Sequence, residues 1–400
     1  MNEVDLTIER VSPPCDVPLI RAHMPELDAV RGIAILSVVF FHGMAQPLHA
    51  ELSTFGRWLF TLSQYGWAGV NLFFVLSGFL ITGILLDSRQ RPDYFRRFYF
   101  RRALRILPAL YGVLLILLIS GWISFRFMAI SVLFLANFAG VLGVGGGYGP
   151  LWSLAVEEHF YMLWPLLVHR CSLRKLMILA SVICIGSPFV RILTLVGSSV
   201  AQHFASFCTW FNLDGLSLGA LLAIWLRMSS FRRDRLARIA LPVMVLSGAA
   251  FLFWVGRPWA DATVVKSACN LASAGFLSCM LLVGTSQWRF VIDRPILRFF
   301  GFISYGLYLV HIATFRLIDI LLSHHLAILL GNGKPMIAVL LRFGGGLILG
   351  TGIAYLSRRF LEEKFLRMGD GSGHVYYSSI LFTTKTNAVQ EGQYPALPDH

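Results

Sequence analysis

Eleven apolar runs separated by short bursts of arginine constrain this chain more than any other feature. The runs fall at about 31–47, 66–87, 104–121, 128–142, 151–168, 174–192, 213–227, 239–256, 262–284, 301–323 and 335–357. A helix that spans a bilayer needs about 20 mostly apolar residues. Hydrophobic residues are 56% of the 400-residue chain and charged residues only 14%, against roughly 25% charged in average soluble domains. A soluble fold of this size has too little interior for that much apolar surface, and a disordered chain would be poor in Phe, Leu and Ile. The expected fold is all-α: a polytopic membrane helix bundle.

The arginines set the topology. The 88–105 loop holds Arg89, Arg91, Arg96, Arg97, Arg101, Arg102 and Arg105. The 226–238 and 285–298 loops are also basic, as are Arg170, Arg174 and Lys175, and the stretch Arg358, Arg359, Lys364 and Arg367. Basic loops stay in the cytoplasm, so the chain crosses an even number of times between 105 and 170. Three runs lie there, and 128–142 is the weakest, being short, holding Asn137 and running into Gly143, Gly145, Gly146, Gly147 and Gly149. It reads as a re-entrant or interfacial segment, tolerated where it packs on protein. About ten crossings remain, with both termini cytoplasmic.

The net charge of +13 is explained by those loops, so nucleic acid is not an expected partner; the lipid bilayer is. The six cysteines show no CxxC spacing, and no metal site is expected. Residues 1–25 are polar and lack a signal-peptide pattern, giving a cytoplasmic extension at 1–25. A membrane domain follows at 26–368. A Gly/Ser/Thr-rich disordered cytoplasmic tail is expected at 369–400.

Ionisable residues inside membrane segments are costly and mark function by default. Arg31 and His42 are 11 residues apart, about 20° past three full helical turns, so they share a face over a rise of roughly 16 Å. Asp28 can pair with Arg31 across one turn. A topology anchor at Arg31 and a packing role for His42 remain open. Glu157 and Glu158 lie about 10 Å inside the helix that starts after Pro150, near the depth of His42, and only one of two successive positions can face it. Arg102 and Arg105, one turn apart, form a fork suited to phosphate, or to lipid headgroups. Asp214 is placed at an outer entrance, as acceptor ligand or helix cap. Tyr305 and His311 lie in the 301–323 run, where a structural hydrogen bond for His311 is as good a reading as chemistry.

Four stretches taken together, Glu26–Gly32, Gly69–Thr82, Leu151–Glu158 and Ile303–His311, resemble the signature of acyltransferase family 3, over roughly 26–357. The resemblance implies an integral membrane O-acyltransferase that uses cytoplasmic acyl-CoA to acylate a surface glycan, glycolipid or macrolide. It maps the family's Arg-x10-His motif to Arg31 and His42, its Arg-x-x-Arg motif to Arg102 and Arg105, and its acidic pair to Glu157 and Glu158. Two departures stand out. His159 replaces the usual Gln, and the hydrolase-like C-terminal domain of some members is not expected here.

The expected activity is therefore transfer of an acyl group, an acetyl by preference, from acyl-CoA as co-substrate to a hydroxyl acceptor, in a bacterial inner membrane. Arg102, Arg105 and Arg31 would hold the CoA phosphates. His42 would be the base, with a Glu of the pair orienting it, and Asp214 and Tyr305 would meet the acceptor. A non-enzymatic transporter or flippase would also bury such charges, but the paired broken helices of many transporters are not seen.

Overall fold

The computed structural model describes residues 19–21, 24–44, 53–194, 207–255 and 262–365. Most of the expected N-terminal extension, Arg367 and the tail at 369–400 lie outside them. The described residues form helices and no strand. The elements are α1 (Pro25–Met44), α2 (Thr54–Gln64), α3 (Ala68–Asp87), α4 (Tyr94–Ile119), α5 (Phe125–Val132), α6 (Leu151–Arg170) and α7 (Leu173–Thr194). After these come α8 (Leu213–Trp225), α9 (Arg233–Trp254), α10 (Ala262–Gly284), α11 (Pro295–Phe302), α12 (Ser304–Leu321), α13 (Ser323–Gly331) and α14 (Pro335–Leu356).

Eight helices among the described residues are long and apolar enough to cross a membrane. One of them joins α2 to α3 through a tight turn of helix at Tyr65–Trp67, and another extends α14 to Phe365. Two further helices lie on expected crossings. The first, α6, has 20 residues, but Glu157 and Glu158 lower its hydropathy. The second, α8, is apolar and has only 13 residues, a rise of about 20 Å against a hydrocarbon core of about 30 Å. The chain is thus an all-α, multi-pass membrane bundle.

The 128–142 segment contains no spanning helix. Its helical part, α5, ends before Phe134, whose φ of 58° is unusual for an aromatic residue and turns the chain back. Backbone at membrane depth must find partners inside the protein. Ser124 accordingly donates to the Gly145 carbonyl at 3.0 Å, closing the loop. Asn137, the residue that weakens the run as a span, is buried and donates to the Thr209 hydroxyl at 2.9 Å.

The interior is built around α1 and α3, which are buried along most of their length, whereas α7 and α9 present apolar faces outward, as lipid-facing helices do. Lipid tails are as apolar as leucine, so helices associate through close packing and small residues. A Cβ on Gly78 would run into the Leu216 carbonyl, and one on Gly219 into the Val75 carbonyl. These two glycines let α3 and α8 touch backbone to backbone. Gly32 against Leu297 and Gly301 against Asp28 do the same for α1 and α11. That contact fixes the basic end of α1.

Candidate active site

Two groups of polar side chains are strung along α1. At its basic end, Arg31 Nη1 donates to Asp28 Oδ1 at 2.5 Å. Arg105 of α4 lies within electrostatic reach of Arg31, Arg102 and Arg358, with Glu362 as the nearby acid. Arg358 donates to Glu362 Oε2 at 3.0 Å and covers the Phe302 ring at 4.8 Å. Arg102 donates through Nε and Nη2 to Glu158 Oε1, at 3.2 and 3.1 Å, with its guanidinium 3.2 Å above the Tyr161 ring. Arg31, Arg102 and Arg358 each have a carboxylate. Arg105 is exposed and has no ion pair with a described residue. The cluster can therefore accept an anion.

This arrangement alters the expected Arg102–Arg105 fork. Arg102 does not stand beside Arg105 at the surface; it points inward to Glu158, 12 residues before Arg170 and so about 18 Å from that end of α6. A buried carboxylate needs such a partner.

At the other end of α1, His42 Nδ1 lies 3.0 Å from the Val38 carbonyl of its own helix and 3.2 Å from His311 Nε2 of α12. His311 is fully buried, and its Nδ1 lies 2.8 Å from the Tyr308 carbonyl. The Tyr308 hydroxyl shares a short hydrogen bond with Ser153, tying this end of α12 to the start of α6. The expectation that Glu157 or Glu158 orients His42 is corrected here. Glu157 accepts from the Ser77 hydroxyl at 2.8 Å and Glu158 is held by Arg102. Neither meets the imidazole. Successive positions on α6 differ by about 100° and deliver the two carboxylates to α3 and α4, whereas α12 is the element packed against His42.

The other expected ligands have internal partners. The Tyr305 hydroxyl donates to the Ile106 carbonyl at 2.8 Å and so anchors α4. Asp214 does not cap α8; it is buried in an ion pair with Arg191 of α7. Nearby, Lys266 donates to Asn212 Oδ1 at 3.1 Å, and Asn71 to Asn270 Oδ1 at 2.6 Å. His159, the departure from the usual Gln, turns away from the Glu pair. It meets the Thr209 hydroxyl at 2.6 Å and stacks near Phe138.

Arg342 of α14 is a site residue that the sequence reading missed. It forks onto Asp319 and donates to the carbonyl of Gly43, next to His42. A buried arginine inside an apolar run was its signal. Among the described residues, no group of three or more His, Cys, Asp or Glu side chains is placed to hold a metal ion.

Residues 24–359 match the family described as an acyltransferase domain. The chain is 29% identical over 164 residues to the peptidoglycan O-acetyltransferase OatA of Listeria monocytogenes, covering 36% of this chain and 24% of that one. It is 27% identical over 327 residues to the O-acetyltransferase OatA of Staphylococcus aureus, 72% of this chain and 50% of the relative. It is 28% identical over 334 residues to YrhL of Bacillus subtilis, 72% and 48% of the two chains. The chain thus spans half or less of the length of these curated relatives. No solved structure matches it.

Proposed function

The chain belongs to the acyltransferase family whose domain it matches over residues 24–359, and from that membership we propose that it is an acetyl-CoA-dependent O-acetyltransferase acting on a glycan hydroxyl across the bacterial inner membrane. Two relatives are named as O-acetyltransferases, one of them of peptidoglycan, which supports acetyl as the group moved and a cell-surface glycan as the acceptor. Both termini are assigned to the cytoplasm from the charge of the loops.

The observation that carries the proposal is the distance between two unlike groups. A cation cluster in which Arg105 makes no ion pair with a described residue stands at the basic end of the bundle. An imidazole, His42, stands at the other end of the adjoining helix, roughly 16 Å from Arg31. CoA has its phosphates at one end and its thioester at the tip of a pantetheine arm of roughly 15–20 Å, comparable to that rise. With the phosphates on Arg105, Arg31 and Arg358, and Arg102 bordering them, the thioester reaches the level of His42. There the imidazole takes the proton from the acceptor hydroxyl as its oxygen attacks the acetyl carbon. The carbon–sulfur bond breaks and the CoA sulfur leaves with that proton. Glu157 and Glu158 act through Ser77 and Arg102. Asp214 and Arg191 support the helices through which the acceptor approaches, whereas Tyr305, bonded to the Ile106 carbonyl, belongs to the donor end.

The test uses purified full chain in nanodiscs with acetyl-CoA and a peptidoglycan-derived glycan. CoA should be released in step with the appearance of an O-acetyl ester, and only when the glycan is present. Binding of the glycan with no thioester consumed would instead favour a transporter.

A further inference from the structure

Resting on the assignment of His42 as the base, we infer that His311 is its positioning residue: a neutral imidazole that accepts a hydrogen bond from His42 Nδ1 and so leaves His42 Nε2 bare for the proton transfer. The inference follows from which atoms can donate. A carbonyl oxygen only accepts, so the 2.8 Å contact of His311 Nδ1 with the Tyr308 carbonyl places the hydrogen on that nitrogen. The same reasoning places a hydrogen on His42 Nδ1, 3.0 Å from the Val38 carbonyl. His311 Nε2 lies 3.2 Å from His42 Nδ1, whose single hydrogen is shared between it and the Val38 carbonyl. His311 Nε2 presents a lone pair.

The reverse arrangement fails twice. With hydrogen on His311 Nε2 instead, both Nδ1 lone pairs would face carbonyl oxygens. A doubly protonated His311 would set its Nε2 hydrogen against that of His42 Nδ1. Each carbonyl comes from the same helix as its histidine, three residues back on α12 and four on α1, so the helices themselves write the tautomers. The rings lie 4.9 Å apart at 56°. That tilt suits an N–H···N contact rather than a stack. Phe41 packs edge-on against His42 at 4.8 Å. His311 therefore does for His42 what a carboxylate does in a catalytic triad, without bringing a charge into the membrane interior.

Protons balance across the cycle. The acceptor hydroxyl gives its proton to His42 Nε2 as the oxygen–carbon bond forms. The new imidazolium is steadied by its Nδ1–H bond to His311. Nε2 then returns the proton to the departing sulfur, and both histidines end neutral.

The test compares His311→Leu, which removes the acceptor, with His311→Gln, whose amide oxygen can occupy the Nε2 position. His311→Leu should lower kcat for acetyl transfer by about 100-fold while KM for acetyl-CoA stays near wild type, and His311→Gln should recover much of the loss. Solid-state nitrogen NMR of [15N]histidine-labelled protein in bilayers, with the His42 signals identified by their loss in His42→Asn, should show hydrogen on Nδ1 and none on Nε2. A His42 with hydrogen on Nε2, or a Gln variant no better than Leu, overturns the inference, and the wild-type spectrum decides even if a variant misfolds. Full activity in His311→Leu with a dead His42→Ala removes only the positioning role. Full activity in His42→Ala removes the base assignment beneath it.

Discussion

Arg342 Nη1 donates to the carbonyl of Gly43 at 2.6 Å, one residue beyond His42. The same guanidinium forks onto Asp319 at 2.6 and 3.1 Å and lies 5.0 Å from the Phe315 ring. The last turn of α1 is thereby locked to α14 and to the helix that carries His311. Arg342→Gln should release that turn and lower kcat by roughly ten- to a hundredfold, with little change in KM, as displaced catalytic groups do. Arg342→Lys should rescue poorly, since an ammonium lacks the planar fork. Initial rates over a range of acetyl-CoA concentrations check both, and a lysine variant at wild-type rate would contradict the clamp.

Arg105 and Arg102 should separate in their effects, although they are one turn apart. Arg105→Ala removes the exposed cation without a described ion pair, and should raise KM for acetyl-CoA about tenfold with a smaller effect on kcat. Arg102→Met strands Glu158 in the interior, and breaking such a pair typically costs about 3–5 kcal/mol. Folded yield should therefore fall for Arg102→Met and recover in part when Glu158→Gln is added. Equal behaviour of the two single variants in binding and yield would contradict this division.

The Arg191–Asp214 pair is buried on both sides. Asp214→Asn alone should lower the detergent-state Tm by several degrees. KM for acetyl-CoA should not change, since the pair lies at the end of the bundle away from Arg105. Differential scanning fluorimetry and donor titration read the two effects separately.

The contact of α3 with α8 depends on Gly78 and Gly219, where an added Cβ would meet backbone. Gly219→Val should force the helices apart, an overpacking penalty of about 1–3 kcal/mol or more. It should appear as loss of the monodisperse peak in size-exclusion chromatography. A well-folded Val variant would mean that the helices are free to separate.

Most of the bundle was legible because its signal is local. Twenty apolar residues write a crossing, and the parity between Arg105 and Arg170 singled out 128–142, where no spanning helix forms. Breaks were less legible. The run 301–323 contains the end of α11, a break at Ile303 and all of α12, yet hydropathy is continuous through it. The helix α2 was missed because Arg57, Thr61, Ser63 and Gln64 dilute its apolar face.

Within the site, the Arg31–His42 face followed from helix periodicity alone. The partner of His42 did not, because His311 is 269 residues away and contact across α1 and α12 is tertiary. Arg191, Lys266, Asp319 and Arg342 were visible as charges inside apolar runs, and the rule that selected Arg31 and His42 would have selected them too. Their roles as internal ties, and those of Asp214 and Tyr305, needed the packing of specific helices.

The central claim is that acetyl transfer runs through the membrane and depends on His42. The direct measurement uses proteoliposomes sorted by orientation, with labelled acetyl-CoA supplied to the arginine-rich face and a peptidoglycan-derived glycan confined to the opposite face. The account predicts labelled ester on the glycan with wild-type protein and none with His42→Ala inserted at the same level. Label that reaches the glycan only when both substrates share one face, or that appears undiminished with His42→Ala, would contradict it.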